Sequence, residues 1–190
     1  RAAVRPETKL LFAETPSTPV CEIVDIAGLA AIAREAGAVL AIDNCMCSPA
    51  LQRPMALGAD LVVHSATKYI DGQGRVLGGA IAGRRDLVEG PLFNFVRTAG
   101  PAISPFNAWI CLKGLETLRL RVEAQSARAL ELARFLEAHP KVERVLYPGL
   151  ASHPQHALAM RQQSAGGPVL SYVVRGGREA ALRGVHGTRL

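Results

Sequence analysis

The stretch Leu61–Tyr69, LVVHSATKY, begins with an aliphatic run and ends in two hydroxyl side chains and a lysine. Its first three residues predict a buried parallel strand, and residues 65–68 predict a polar turn at the carboxyl end of that strand. In open α/β sheets, ligands bind in the crevice beyond the carboxyl ends of the strands. The stretch therefore predicts a site that offers two hydroxyls and an amine to one ligand, which carries both a phosphate and a carbonyl group.

A second apolar run supports this site. Residues 38–42 predict another buried strand, which ends in Asp43 and Asn44. Two strands therefore bring Asp43 and Lys68 to the same edge of the sheet. An aspartate buried there alone loses much of its hydration energy, so we expect it to have a cationic partner. A pyridinium nitrogen meets this need, because a nearby carboxylate favours the protonated ring, and a protonated ring is an electron sink.

Three motifs together resemble a known family. They are Glu14–Pro19 (ETPSTP), the pair Asp43-Asn44, and His64–Tyr69 (HSATKY). The distance from position 18 to position 43 and the distance from position 43 to position 68 are both 25 residues. In order and interval the motifs are similar to those of the pyridoxal-phosphate enzymes of cysteine and methionine metabolism.

The resemblance implies the fold, the cofactor and the roles of five residues. The implied fold is the α/β type I fold of pyridoxal-phosphate transferases, a mostly parallel sheet flanked by helices, and the implied cofactor is pyridoxal 5'-phosphate. Lys68 is the implied catalytic residue and carries the cofactor as a Schiff base. By the same resemblance Ser65 and Thr67 bind the phosphate, and Asp43 faces the pyridine nitrogen. Thr18 stands where the family usually has an asparagine that contacts the oxygen on the cofactor ring.

Two further segments resemble one branch of the family. Residues 72–75 (GQGR) and the run 99–121 are similar to the O-succinylhomoserine sulfhydrylases. This implies replacement of a succinyl group at the γ carbon by sulfide, which gives homocysteine. A cystathionine γ-synthase or γ-lyase of the same family and a catalytically silent chain remain as alternatives. The glycines at 72, 74 and 78 are spaced one residue too widely for a dinucleotide-binding fingerprint.

The chain is basic, with 22 Lys and Arg residues against 16 Asp and Glu residues and a formal net charge of +6. Nucleic-acid binding is not expected, because no basic cluster or stacking platform accompanies the charge. The basic residues near position 120 alternate with acidic ones, as on a solvated helix face. An anionic cofactor and an acidic amino-acid substrate account for the excess of arginine. The alternating residues are Arg119, Arg121, Arg128 and Arg134 with Glu116, Glu123 and Glu131.

Neither a membrane span nor a metal site is predicted. No apolar run approaches the ~18 residues that cross a bilayer, and no signal peptide opens the chain, so we expect a cytoplasmic enzyme. His153 and His156 are three residues apart, but no third ligand accompanies them. The cysteine spacing fits neither a zinc site nor a disulfide framework, and we interpret these residues as small buried hydrophobes. The cysteines are Cys21, Cys45, Cys47 and Cys111, of which Cys45 and Cys47 are close to Asp43 in sequence.

Alternating strand and helix patterns predict a doubly wound sheet. Asp25 is predicted to cap a helix over residues 26–36 that Gly37 ends. Ser104 is predicted to cap one long helix that begins at Pro105 and continues to about residue 139. Its predicted buried stripe comprises Leu115, Leu118, Val122, Ala129, Leu132 and Leu136. The strands of the sheet are predicted at 9–13, 38–42, 61–63 and 79–83.

The pattern changes to short strands after residue 141. We expect residues 1–139 to be part of the large cofactor-binding domain and residues 140–190 to begin a smaller C-terminal α/β domain. The chain starts with Arg1 rather than Met and ends in a Gly- and Arg-rich stretch, and we therefore expect it to be a fragment. For the complete protein the family resemblance implies a homotetramer.

Overall fold

A four-stranded, mostly parallel sheet forms the centre of the chain in the computed structural model, which describes residues 1–188. The strand order is β1-β2-β3-β4, in which the first three strands are parallel and β4 is antiparallel to β3. Asp43 lies opposite Val63 in the parallel pair, so the carboxyl ends of both strands meet at one edge. The strands are β1 (Leu10–Glu14), β2 (Val39–Asp43), β3 (Leu61–Ser65) and β4 (Gly79–Gly83).

The predicted helix between the first two strands is confirmed as α1 (Ile26–Glu35). The Asp25 carboxylate accepts the backbone N–H of Gly28 at 3.0 Å and caps its first turn. Gly37 follows the helix with a φ of 63°, a left-handed conformation that glycine adopts without steric cost. The buried face of α1 packs on the sheet, and each large aliphatic side chain buried there contributes roughly 1.5–3 kcal/mol. This core comprises Ile26, Ala30, Ala33, Leu40, Ile42 and Ala59.

A second, two-stranded antiparallel sheet follows the central one and pairs β5 with β6. Strand β5 covers Val142–Leu146, and β6 covers Ser171–Val174. Within residues 1–188, no helix combines the length and the apolar character needed to cross a membrane. The remaining helices are α2 (Ser48–Leu51), a 3₁₀ turn (Pro54–Leu57), a π-helical turn (Ala66–Ile70), α3 (Arg85–Leu87), a second π-helical turn (Val88–Leu92), α4 (Phe93–Ala99), α5 (Pro105–Leu115), α6 (Leu118–Glu137), α7 (His156–Gln162) and α8 (Gly177–His186).

The prediction of one long helix from Pro105 was wrong, because the chain breaks between α5 and α6. Ser104 does cap α5, and its hydroxyl accepts the N–H of Asn107 at 3.1 Å. Near the end of α5 the carbonyl of Gly114 accepts from the Arg121 guanidinium at 2.8 Å. The buried residues of α6 differ from the predicted stripe and include a serine. They are Leu118, Val122, Ser126, Ala129 and Ala133.

Two glutamines, Gln155 just before α7 and Gln162 at its end, bind the segment that leads into α1. The amide of Gln155 accepts from the Ile23 N–H at 2.8 Å and donates to the Ile23 carbonyl at 2.6 Å. The amide of Gln162 donates to the carbonyl of Val24 at 2.9 Å. These side chains therefore pair with an extended backbone as a neighbouring strand does.

Candidate functional site

The lysine of the predicted site lies in an irregular turn directly after β3. A π-helical turn covers Ala66–Ile70, and Lys68 interrupts it with a φ of −86° and a ψ of −107°. The side chain of Lys68 is exposed. Within residues 1–188 no carboxylate lies close enough to form an ion pair with its amine. The amine is thus presented to solvent at the carboxyl end of a central strand, as the sequence predicts.

The two hydroxyls before the lysine have different surroundings. Thr67 is half-buried, and its hydroxyl accepts the N–H of Gly78 at 3.0 Å and lies 3.3 Å from the carbonyl of that residue. Since the accepted bond uses a lone pair, the hydroxyl proton is available either to that carbonyl or to a ligand. The Ser65 hydroxyl has no hydrogen-bond partner in the part of the chain that the structure describes. The turn therefore offers two donors beside the amine.

Asp43 ends β2 at the same edge of the sheet. It is half-buried, and its Oδ1 accepts the backbone N–H of Cys45 at 2.9 Å. The next residue, Asn44, donates its backbone N–H to the carbonyl of Val63 at 2.9 Å, which joins this end of β2 to β3. No lysine, arginine or histidine among residues 1–188 forms an ion pair with Asp43. The carboxylate is therefore placed to meet a cationic group of a ligand.

Cys45 joins the ends of the two strands that carry the predicted charges. Its sulfur accepts the backbone N–H of Ser65, so this side chain bridges the ends of β2 and β3. The pKa of Cys45 is raised to about 11, mainly by burial. The hydrogen bond and the charge of Asp43 also raise this pKa, whereas the hydrogen bond from Ser65 and the charge of Lys68 lower it. Both predicted charges therefore act on the same thiol.

The turn after β1 is tied to this region through its backbone. The N–H of Thr15 donates to the carbonyl of Asp43 at 3.3 Å, and the Thr15 hydroxyl accepts the N–H of Val24 at 3.1 Å. Thr18 lies further along the turn, is exposed, and donates its hydroxyl to the carboxylate of Glu14 at 2.9 Å. Within residues 1–188 the Thr18 side chain has no hydrogen bond to the other four predicted site residues.

A buried amide network supports the end of β2. The side chain of Asn44 donates to the carbonyls of Ser48 and Gln52, at 3.1 and 2.9 Å. The side chain of Gln52 donates to the carbonyl of Thr15 at 3.1 Å. Sequence analysis did not identify Gln52, because its contacts are with residues 8 and 37 positions away. The only local signal was the position of Asn44 directly after Asp43.

His64 is a second titratable group beside the carboxylate. It is buried in β3 at 8% exposure. Burial lowers the pKa of His64, while the Asp43 charge and a hydrogen bond with the Asn44 backbone oppose that shift without reversing it. The imidazole is therefore neutral at pH 7 and does not neutralise Asp43.

Within residues 1–188 no group of three or more side chains is arranged to hold a metal ion.

The sequence matches a protein family along its whole length. Residues 1–190 match the profile of the family described as Cys/Met metabolism PLP-dependent enzyme. The chain is similar to the O-succinylhomoserine sulfhydrylase of Pseudomonas aeruginosa, with 61% identity over 189 residues that cover 100% of this chain and 47% of that protein. It is also similar to the O-succinylhomoserine sulfhydrylase of Mycobacterium tuberculosis, with 52% identity over 167 residues, or 88% of this chain and 41% of that protein.

A solved structure agrees with the fold. The cystathionine gamma synthase of Xanthomonas oryzae pv. oryzae, in complex with aminoacrylate and cysteine, superimposes with a TM-score of 0.92 and 42% identity, over 95% of this chain and 47% of that one. The predicted α/β class with a mostly parallel sheet flanked by helices is therefore confirmed. The chain spans about half the length of the curated relatives it matches, 47% of one and 41% of another.

Proposed function

The chain belongs to the pyridoxal-phosphate-dependent enzymes of cysteine and methionine metabolism, and on that basis we propose that the full-length protein is an O-succinylhomoserine sulfhydrylase. The reaction replaces the succinyl group at the γ carbon of the substrate with sulfide and yields homocysteine, in methionine biosynthesis. The observation that carries the proposal is the 61% identity to the Pseudomonas aeruginosa sulfhydrylase, which covers 100% of this chain.

The groups at the sheet edge fit pyridoxal phosphate. Asp43 is a half-buried carboxylate without a cationic partner in the described part of the chain, and a ring nitrogen that gains a proton supplies one. The exposed amine of Lys68 fits an aldehyde carbon. Ser65 and Thr67 provide hydroxyl donors for a phosphate on the same turn, and Thr18 is proposed to contact the ring oxygen. We assign the cofactor to these five residues, with Lys68 as the catalytic one.

Each of these groups has a physical task in the reaction. Bound pyridoxal phosphate supplies an electron sink for the negative charge that develops at the substrate carbons. The Asp43 carboxylate strengthens that sink because an opposite charge nearby favours the protonated ring nitrogen. The Nζ of Lys68, once free, holds and moves protons at the α and β carbons of the substrate. Cys45 remains a neutral thiol at pH 7, since its pKa is raised to about 11, and adds no second negative charge beside Asp43.

The proposal extends to the organisation of the protein. Residues 1–139 form part of the large cofactor-binding domain and residues 140–190 begin the C-terminal domain, a division supported by the two separate sheets. The full-length protein is a homotetramer in the cytoplasm that acts on a small amino-acid substrate. All four cysteines are buried thiols, which fits a reducing compartment. Light scattering on the purified full-length protein measures the assembly directly.

A cystathionine γ-synthase is the alternative that a specific observation favours. The likeness to the Xanthomonas enzyme extends over 95% of this chain at 42% identity. Both reactions start from an activated homoserine and differ in the sulfur nucleophile. Sulfide gives homocysteine, cysteine gives cystathionine, and a γ-lyase instead releases 2-oxobutanoate and ammonia.

Product analysis separates these activities. The full-length enzyme is incubated with O-succinylhomoserine or O-acetylhomoserine, and with sulfide or cysteine, and the products are identified by mass spectrometry. We expect homocysteine from O-succinylhomoserine and sulfide, and none from the Lys68→Ala variant. Preferential formation of cystathionine or of 2-oxobutanoate overturns the proposal in favour of the corresponding relative. A folded protein that forms no product and acquires no label on Lys68 after incubation with cofactor and borohydride supports a silent chain.

A further inference from the structure

The carbonyl of Tyr69, the residue directly after the predicted catalytic lysine, is held by an arginine from a distant helix. The Nη2 of Arg121 donates to this carbonyl at 3.0 Å and to the carbonyl of Gly114 at 2.8 Å. Its Nε donates to the Thr117 hydroxyl at 3.0 Å, which fixes the guanidinium against its own helix. One planar group therefore joins the lysine turn to both α5 and α6.

The same guanidinium also packs against Gly72, three residues further along the turn. Gly72 has a φ of 74°, and a Cβ at this position would lie 1.9 Å from the Nη1 of Arg121. The backbone N–H of Gly72 donates to the carbonyl of Lys68 at 2.7 Å. Arg121 thus contacts the residue that follows Lys68 and the residue whose N–H binds the Lys68 carbonyl.

Arg121 differs from the other arginines of its helix. Arg119 and Arg128 are exposed and pair with glutamates one turn away, at 3.6 and 2.8 Å. Arg121 forms no ion pair with any carboxylate among residues 1–188, and its Nη1 is buried without a hydrogen-bond partner there. A charged donor in such a place is costly unless its bonds to neutral carbonyls are strong and well oriented. A role in surface ion pairing therefore does not explain why an arginine stands at position 121.

The lysine turn is also confined from the side of α5. A Cβ on Gly114 would lie 2.0 Å from the carbonyl oxygen of Ile70, so the helix touches the turn without a side chain between them. Asp71 is fully buried and accepts the backbone N–H and the Nε of Arg75, at 2.7 and 2.8 Å. Of the contacts that confine the turn, the one from Arg121 reaches both the carbonyl directly after Lys68 and Gly72, whose N–H binds the Lys68 carbonyl.

We propose that Arg121 is a positioning residue for Lys68, which fixes the backbone of residues 68–72 so that the lysine amine is presented to the cofactor. The proposal rests on the proposed role of Lys68 as the cofactor lysine. A planar guanidinium with fixed donors bridges two carbonyls at once, whereas the single flexible ammonium of a lysine does not reproduce that geometry. We therefore expect Arg121→Lys to position Lys68 poorly, although this variant keeps the positive charge.

The test uses the full-length protein, prepared without cofactor, and three variants. Arg121→Lys and Arg121→Met remove the planar guanidinium, and Arg119→Met is the control on the same helix. Three readouts are compared at a temperature at which all the proteins are folded: hydrogen exchange of the Gly72 amide, the dissociation constant of pyridoxal phosphate, and the rate at which cofactor and borohydride label Lys68. We expect both Arg121 variants to show at least about tenfold faster exchange, weaker binding and slower labelling, and Arg119→Met to stay within about twofold of wild type.

Three further results bear on the proposal. If the Arg121 variants lose thermal stability while exchange, binding and labelling stay within about twofold, the residue only stabilises the helix pair and the proposal is wrong. Should both fail to fold, Thr117→Val removes one acceptor and leaves the guanidinium in place, and it must shift the same three readouts in the same direction by a smaller factor. If wild type itself is not labelled on Lys68, the proposed function fails, whereas the exchange of Gly72 still reports on Arg121.

Discussion

The side chain of Gln52 donates to the Oδ1 of Asn44 at 2.9 Å, and the two residues are buried at 1% and 0% exposure. Because Gln52 also donates to the carbonyl of Thr15, the pair links the residue after Asp43 to the turn after β1. Buried amide networks are strong when every donor and acceptor has a partner, and costly when one is missing. Within residues 1–188 the Oε1 of Gln52 is buried without a partner, so the network is not complete, and the placement of Asp43 depends on the bonds that the pair does form.

Replacement of Asn44 tests that dependence. Asn44→Ala removes the donors to the buried carbonyls of Ser48 and Gln52 and the acceptor of the Gln52 amide. We expect the apparent free energy of unfolding to fall by about 2–4 kcal/mol, since each buried group left without a partner costs about 1–3 kcal/mol. Urea denaturation of the full-length protein measures the change.

An exposed asparagine supplies the control for this variant. Asn94 lies on α4 and is exposed, so Asn94→Ala is expected to change the stability by less than about 0.5 kcal/mol. Equal losses in the two variants would show that the network around Asn44 contributes nothing beyond an ordinary surface site.

Cys45 reports on both charges of the candidate site. Asp43→Asn removes a negative charge that disfavours the thiolate, so the pKa of Cys45 is expected to fall. Lys68→Met removes a positive charge that favours the thiolate, so the same pKa is expected to rise. The measurement is the pH dependence of iodoacetamide modification, followed by peptide mass mapping. The reaction should be faster than in wild type for the first variant and slower for the second.

Cys111 provides an internal control for these rates. Burial raises the pKa of Cys111 most, and the charged groups that act on it are Asp71 and Arg75 rather than Asp43 and Lys68. Its modification should be unchanged in both variants. If Cys45 responds in the same direction to both substitutions, the carboxylate and the amine do not converge on it, and the proposed cofactor site is wrong.

Gly114 is required by the close contact between α5 and the lysine turn. Gly114→Ala places a Cβ 2.0 Å from the carbonyl oxygen of Ile70, so either the helix or the turn must move. We expect a loss of about 1–3 kcal/mol, the usual cost of forcing an extra methyl group into a packed region. The comparison is Gly184→Ala on α8, where, within residues 1–188 and apart from the neighbouring residues and the helix's own backbone, no atom lies within 4 Å of the added Cβ. Alanine there should stabilise the helix by up to about 1 kcal/mol, and a loss at both positions would contradict the steric argument.

The sequence predicted the strands and the positions of Asp43 and Lys68 because those signals are local. A short apolar run rich in β-branched residues and followed by polar ones favours a buried strand that ends there. The contacts of Arg121 were not predicted, because the alternating charge favoured a solvated helix face. In the structure Arg121 fills the space left by Gly72, a residue 49 positions away in sequence. Contacts of that kind depend on how two elements pack, and no local pattern encodes them.

The buried face of α6 was predicted only in part, for a related reason. Leu132 belongs to the predicted stripe but is 49% exposed, whereas the polar Ser126 is buried at 4% exposure. The Ser126 hydroxyl donates to the carbonyl of Val122 at 2.7 Å, so its burial leaves no donor unpaired. Tyr147 donates to the carbonyl of Ser126 at 3.2 Å and fills the space beside it. Hydrophobicity identified Leu118, Val122 and Ala129 of the buried face but missed Ser126 and Ala133.

Asp71 links the stability of the lysine turn to pH. Burial raises the pKa of Asp71, but the hydrogen bonds and the charge of Arg75 lower it more, so the pKa of the carboxyl lies below its usual range. A group with a depressed pKa stabilises the folded state above its unfolded value of about 3.9, and this contribution is lost as the pH falls through the folded pKa. The turn should therefore lose stability only under acid conditions.

Asp71→Asn removes the charge that Arg75 holds. At pH 7 we expect the variant to be less stable than wild type by about 1.5–3 kcal/mol, since hydrogen bonds to charged groups have this strength. Urea midpoints between pH 7 and pH 3 should show this difference shrinking below about pH 4, as Asp71 of the wild type takes up its proton. The control is Asp86→Asn, which removes an exposed partner of Arg84 and should change the stability much less than Asp71→Asn at pH 7, because an exposed ion pair is screened by solvent. A difference for Asp71→Asn that stays constant down to pH 3 would mean that the ion pair with Arg75 does not stabilise the turn.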